Sequence, residues 1–447
     1  MLNVPALLAA RLRSLRNQRL SRQEFEQRRL QRFRSFAAFV RNRSPYYRRV
    51  MLERGIEPSS CTPADFPPLT KREVAENFDQ IVTAPDVSLS AIREFLHESH
   101  EPTVLFRNRY VVVHTSGSSG EVGYFVYDLS DLSRALAQLS HSSARSMFSM
   151  RRKRIAFFGA TEGHFTGVSI ILATRMAPMN LQYSARLFEV SRPLAETVAG
   201  LNAWQPDMLL GYATCLKALA EKKLEGELRI APASVHNSAE PLLEGDRKLL
   251  EKAFGPCISN FYVCSEHLYM AMREPTWNSM RLLEDDLIFE IFPDHTLVTN
   301  LFNRTFPLIR YRMNDTLTPL LTDEHTPYHA IAEVVGRVEQ LAKFVNRDGQ
   351  TDSLSPSLIG ELLIPHVRRL QMRLRSPESF TLAVVLDPFI ADHQRANAFQ
   401  VAESKLRAIL DKKELQNVTF NVLAVDDLPV DSKTGKFRLI VDNSGTT

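Results

Sequence analysis

The chain is short of cysteine and of long apolar runs, and each lack removes a class of protein. Its four cysteines in 447 residues, Cys61, Cys215, Cys257 and Cys264, fall in no paired pattern. A disulfide framework is therefore not expected, and the thiols should be reduced. Cys257, Cys264 and His267 stand at C-x6-C-x2-H spacing, which matches no common structural zinc site. The apolar stretch Gly167 to Ala173 is soon interrupted by Arg175, well short of the roughly 18 apolar residues that a membrane-spanning helix needs. Met1 to Ala10 begins apolar, but no basic region precedes it and no convincing cleavage site follows. No transmembrane segment, repeat or low-complexity tract is visible, so a cytosolic globular chain of two or three domains is expected.

Acidic residues are scarce at one end. Residues 11–50 hold thirteen arginines against Glu24 and Glu26, although the whole chain carries only +4. Phe25, Phe33, Phe36, Ala37 and Val40 recur within this segment close to helical spacing, which predicts one basic amphipathic helix over residues 10–42. Its apolar face should dock on the core with the arginines solvated, the alternative being contact with anionic lipid or a polyanion.

Beyond it, Phe66-Pro67-Pro68-Leu69 reads as an extended segment entering a short helix capped by Thr70 and Glu73. Tyr110 to Val113, Arg154 to Gly159 and Asp207 to Gly211 are β-rich runs, the last two followed by helical patterns, as in βα units of a buried, mostly parallel sheet. From about Asp285 the strands come close together (Leu287 to Phe292, Leu297 to Leu301), which predicts an antiparallel β subdomain. Strand Phe380 to Leu386, helix Gln394 to Leu410 and strand Val418 to Val425 predict a compact α+β unit. The fold class is thus α/β. A large N-terminal domain, 1–338, precedes a small C-terminal α+β domain, 339–447.

The run Thr115-Ser116-Gly117-Ser118-Ser119-Gly120 follows the first of these strands. Small residues let the backbone point several N–H groups at one oxyanion, and the hydroxyls add donors, which suits a polyphosphate. It lacks the Gly-Lys-Ser/Thr ending of the P-loop NTPases. Alone, it could equally be a surface turn. Downstream come Tyr262-Val263-Cys264-Ser265-Glu266, then Pro307 to Asp315, Gly336-Arg337, and Lys433-Thr434-Gly435-Lys436.

In that order the set resembles the adenylate-forming superfamily of acyl- and aryl-CoA ligases, peptide-synthetase adenylation domains and luciferases. Within it the chain looks most like the phenylacetate-CoA ligase branch. Ser44-Pro45-Tyr46-Tyr47-Arg48 and Leu69-Thr70-Lys71 resemble the branch's N-terminal segment, Gly211-Tyr212-Ala213 its pocket-lining loop, and Ser238-Ala239-Glu240 its adenine-contacting turn. The resemblance implies that ATP and a small-molecule carboxylic acid give acyl-AMP and pyrophosphate, after which a thiol, CoA first of all, takes the acyl group. A carrier-protein thiol or an amine is the alternative acceptor, and a non-catalytic binding protein of the same fold a further one. No nucleic-acid partner is implied.

By the same resemblance Thr115 to Gly120 hold the β- and γ-phosphates and Glu266 binds Mg²⁺. Lys436 is the catalytic lysine that bridges carboxylate and phosphate. Tyr262 stacks on adenine beside Ala239, Glu240 and Ser265, Asp315 binds the ribose hydroxyls, and Arg337 reaches the ribose or a phosphate. Glu339 stands at the hinge on which the small domain swings. Tyr212, His236 and Phe261 are expected in the acyl pocket, suiting an aryl or short hydrophobic acid. Several positions depart from the family pattern. The loop continues Glu121-Val122-Gly123 where Gly-Lys-Pro is common, losing a cation near the phosphates. Val263 stands where Gly is usual, and Met313-Asn314 precede Asp315 where Thr-Gly is usual.

Overall fold

The computed structural model describes residues 1–99, 101–115, 122–141, 151–313, 315, 317–321, 326–332, 334, 342–354, 356–360, 362, 364–428 and 439–442. The N-terminal segment differs from the single helix expected over 10–42. It forms α1, Val4–Asn17, and α2, Arg22–Arg43, separated by a short break. Ser21 causes the break: its side chain accepts from Glu24 N–H while the Glu24 carboxylate accepts from Ser21 N–H, a reciprocal cap that starts a new helix. Phe25, Phe33, Phe36, Ala37 and Val40 are all buried, as their spacing predicts.

Four of the arginines are not simply solvated, and no lipid is needed to account for them. The consecutive acids Glu284, Asp285 and Asp286 are buried, at 1%, 3% and 1% exposure. Arg29 and Arg22 reach Glu284 at 2.6 and 3.0 Å, Arg13 reaches Asp286 at 2.6 Å, and Arg32 also pairs with Asp286. Asn17 and Tyr328 donate to Asp285 at 2.7 and 3.0 Å. Helical spacing places these arginines on a shared face of the hairpin, and three carboxylates taken out of water need such cations.

Among the described residues the main sheet has nine strands. Its parallel part runs β4 (Tyr183–Glu189), β3 (Lys153–Gly159), β5 (Met208–Gly211), β6 (Ser234–Ser238) and β7 (Ile258–Cys264). It continues antiparallel through β8 (Leu268–Arg273) and β9 (Met280–Leu282). The βα alternation expected from the sequence is thus present. Ahead of it, β1 (Tyr110–His114) and β2 (Tyr124–Asp128) form an antiparallel hairpin, and β10 (Leu287–Ile291), β11 (Thr296–Asn300) and β12 (Tyr311–Met313) form the predicted antiparallel sheet. Toward the C-terminus, strands Val367–Ser376, Ser379–Leu386, Thr419–Ala424 and Ile440–Asp442 pack with helix Asp392–Lys412. The proposed boundary at 338/339 lies outside the described residues. Among the described residues, no helix is long and apolar enough to cross a membrane.

Candidate active site

The site gathers where β1, β7 and β12 end. Thr115, just after β1, donates its N–H to Gly123 O at 2.9 Å, and its Oγ1 accepts from Gly123 N–H at 2.8 Å. These two bonds close the root of the Ser116 to Gly120 loop, whose own residues lie outside the described ones. Ser265 Oγ donates to His114 O at 3.2 Å and Tyr127 OH to Ser265 O at 2.7 Å, fastening the end of β7 to the hairpin. Thr115, Ser265 and Glu266 are thereby brought together.

Lys71 joins them, although sequence reasoning placed no function on it. Leu69 is stitched to the start of β12 by its N–H to Arg310 O and by Arg312 N–H to its own carbonyl, each at 2.9 Å. Thr70 and Glu73 then cap helix Lys71–Glu76 reciprocally, as predicted. Lys71, first in that helix, carries Nζ to 3.2 Å from Thr115 Oγ1 and contributes positive charge at Glu266. Gly123 makes room for it: a Cβ there would stand 2.9 Å from the Phe125 ring and 3.3 Å from Lys71 Cε. A cation thus stands at the root of the loop whose own sequence has Glu121 in place of lysine.

Burial pushes the Glu266 carboxyl above the usual carboxylate range, opposed by its own backbone N–H and by Lys71. Tyr311 OH lies 3.4 Å from Glu266 Oε1. A single buried carboxylate beside hydroxyls fits Mg²⁺ held jointly with nucleotide phosphates, because that ion commonly takes one or two carboxylates and completes its shell with phosphate oxygens and water. Among the described residues no cluster of three or more His, Cys, Asp or Glu could hold a metal by itself.

Tyr262 and Asp315 also meet: Tyr262 OH donates to Asp315 Oδ2 at 2.5 Å, and burial together with that carboxylate holds the phenol well above its ordinary range. Thr296 Oγ1 donates to Asp315 O at 3.2 Å. Ala239 adopts a left-handed φ of 67°, a backbone outlier at the turn expected to meet adenine. Glu240 has a job of its own there. Its Oε2 accepts from Thr214 N–H at 2.9 Å and Thr214 Oγ1 at 2.7 Å, in the first turn of helix Ala213–Leu224, so it caps that helix.

His236 and Phe261 line a cavity of about 350 Å³ behind β7, on the side of the strand that also carries Val263. Tyr212 stands outside it, buried edge-on against Phe157 with ring centroids 5.9 Å apart. Arg337, Glu339 and Lys436 lie outside the described residues. Cys264 is half-buried, with its Sγ 3.2 Å from Met270 Sδ.

No family model matches the chain. Over 300 residues it is 24% identical to Protein CapK of Staphylococcus aureus, covering 64% of this chain and 61% of that protein. The chain therefore spans less than two thirds of that relative. Among solved structures it is similar to 2-hydroxyisobutyryl-CoA ligase. With that enzyme in complex with 2-HIB-AMP and CoA in the thioesterification state, the TM-score is 0.59 at 18% identity, over 94% of this chain and 91% of the other. With an open conformation of the same ligase it is 0.56 at 16% identity, over 95% and 93%. The chain has the α/β fold of 2-hydroxyisobutyryl-CoA ligase.

Proposed function

We propose that the protein activates a carboxylic acid as its acyl-adenylate and passes the acyl group to the thiol of CoA. The observation that carries this reading is the convergence of Thr115, Lys71 and Glu266 at the root of the small-residue loop, with Tyr262 and Asp315 nearby at the end of β7. A carboxylate oxygen attacks the α-phosphorus of ATP, the new O–P bond forms, and the bond to the pyrophosphate oxygen breaks. An anion approaching a polyanion is the main obstacle, so Lys71, the loop N–H groups and Lys436 offset charge where it develops. Mg²⁺ held by Glu266 would neutralise phosphate charge. Asp315 accepts from the ribose hydroxyls once Tyr262 OH releases it, and Arg337 reaches the ribose or a phosphate. Glu339 serves as hinge for the small domain.

CoA is favoured as acceptor by a groove of about 840 Å³ between the two parts of the chain, which borders His114 and Val122 and is lined by Arg93, Arg368, Arg369 and Lys405. A carrier-protein thiol or an amine stays the second reading of the acceptor.

ATP–pyrophosphate exchange with a broad panel of acids tests the first step. Exchange with at least one acid, abolished by Lys436→Ala, is expected. Exchange that no acid supports, or that Lys436→Ala leaves undiminished, overturns the reading. Asp315→Asn should raise the KM for ATP about 10- to 100-fold, because hydrogen bonds to a charged group are worth about 1.5–3 kcal/mol. Tyr262→Phe, which keeps the ring and frees the carboxylate, should cost much less in the same assay.

A further inference from the structure

The cavity behind β7 is longer than a short aryl acid requires. Its wall is formed by alternate residues of four strands, among them Phe157, Leu210, His236 and Phe261, which the two-residue period of a strand puts on one face. Ser238 pairs with Phe261 at the end beside Ala239 and Tyr262, where the acid must react. The opposite end lies at the register of Ser234, Met208 and Ile155, four residues back, or about 13 Å at the usual strand rise. Tyr183, on the rim, pairs with Lys153 another two residues back.

Helix α1 closes this far part. Asn3 fixes its start, donating Nδ2–H to Ser130 Oγ at 2.8 Å and its backbone N–H to Ser133 Oγ at 2.9 Å. Val4, Leu7 and Leu8 then face the cavity, with Arg11 at the rim beside Tyr183. A short ring held at the Ser238 end would leave the apolar space under α1 unfilled, forfeiting its contacts.

The apolar wall also carries polar side chains, Thr174, Gln182 and Ser238 among them, and His236 stands between its two ends. The His236 side chain is half-buried, its Nε2 lies 2.8 Å from Ser234 Oγ, and its inaccessible Nδ1 has no hydrogen-bond partner among the described residues. Burial pushes its pKa down to about 4, so the ring is neutral near pH 7. Whichever ring nitrogen carries the proton, a hydroxyl can serve Nδ1, since it both donates and accepts. His236 is two residues before Ser238, about 7 Å from the reacting end along the strand.

We infer that the acid is an elongated, mainly apolar one bearing a hydroxyl a few carbons from its carboxyl group, with His236 reading the hydroxyl and α1 setting the chain length. This rests on the adenylating reading above and names the acid it takes. It replaces the short or aryl acid expected from the sequence, for which Tyr212 was to be a wall.

Pyrophosphate release with matched straight-chain acids, plain and hydroxylated at successive carbons, alongside short aryl acids, tests it. The purified full chain should favour one hydroxylated long acid over its plain counterpart by about tenfold, the discrimination typical of one hydrogen bond. His236→Phe should erase that ratio, and Leu7→Trp, on a different wall, should lower the ratio of long to short acids. Melting curves of both variants establish that they fold. A hydroxyl preference that survives His236→Phe, or none in the parent, means that a trapped water pairs Nδ1 and sinks the hydroxyl assignment. Preference for short aryl acids overturns the length assignment. Release with no acid at all instead sinks the adenylating reading on which both depend.

Discussion

Alanine in place of Lys71 is expected to slow acyl-adenylate formation by about 10²- to 10³-fold, the loss typical of removing one preorganised charge-stabilising donor. The side chain reaches Thr115 Oγ1 from a separate capped helix, so its truncation removes the cation without undoing the Thr115–Gly123 bonds that close the loop. Single-turnover formation of acyl-AMP is the measurement. If Lys71 stabilises charge that builds up in the transition state, kcat falls with kcat/KM; if it only holds ATP, KM for ATP rises and kcat stays. Lys71→Arg should recover part of the rate. Unchanged turnover in Lys71→Ala would falsify the assignment of the missing loop cation to this residue.

The largest effect on stability should come from Glu284. Burial by itself would raise its carboxyl pKa, but the His329 hydrogen bond and the charges of Arg29 and Arg22 outweigh it and bring the group down to about 2. Because the folded pKa lies below the unfolded one, the stabilisation is fully present above about pH 5. It is lost as pH falls toward 2. From the ordinary value of 4.5 to about 2 the shift corresponds to about 3 kcal/mol. Chemical denaturation followed between pH 6 and 3 should show that loss, and Glu284→Gln should flatten much of it. At neutral pH, Glu284→Ala leaves Arg29 facing a buried gap and should cost about 3–5 kcal/mol, the usual penalty for breaking a buried pair from one side. Arg29→Ala should cost a similar amount, and a double variant less than the two combined.

Most regular elements could be read from the chain because they are local. The Thr70–Glu73 cap, the β-rich runs that became β1, β3 and β5, and the antiparallel run after Asp285 all rest on residues a few positions apart. The break between α1 and α2 was also written in the sequence, as Ser21-x-x-Glu24, but apolar residues on both sides kept helical spacing and masked it. The partners of the arginines were not legible, since Glu284 stands 255 positions after Arg29 and no periodicity connects them. The same holds for Lys71. Its neighbour Thr115 is 44 residues away, and only the stitching of Leu69 to β12 brings the two together. Glu240 was legible as part of a motif, yet its bond to Thr214 gives it a helix to hold as well. Tyr212 was assigned from its loop, but a strand face decides what the cavity sees, and the face belongs to Phe157.

The acid triplet also sets an order in time. A ribosome adding about 5–20 residues per second makes Arg29 long before Glu284. The 255-residue separation then amounts to roughly 10–50 s at that rate. Over that interval the α1–α2 hairpin has its arginines but not the carboxylates that neutralise them in the finished fold. The hairpin thus spends that wait as a basic, half-apolar surface that a nascent chain must keep from other polyanions.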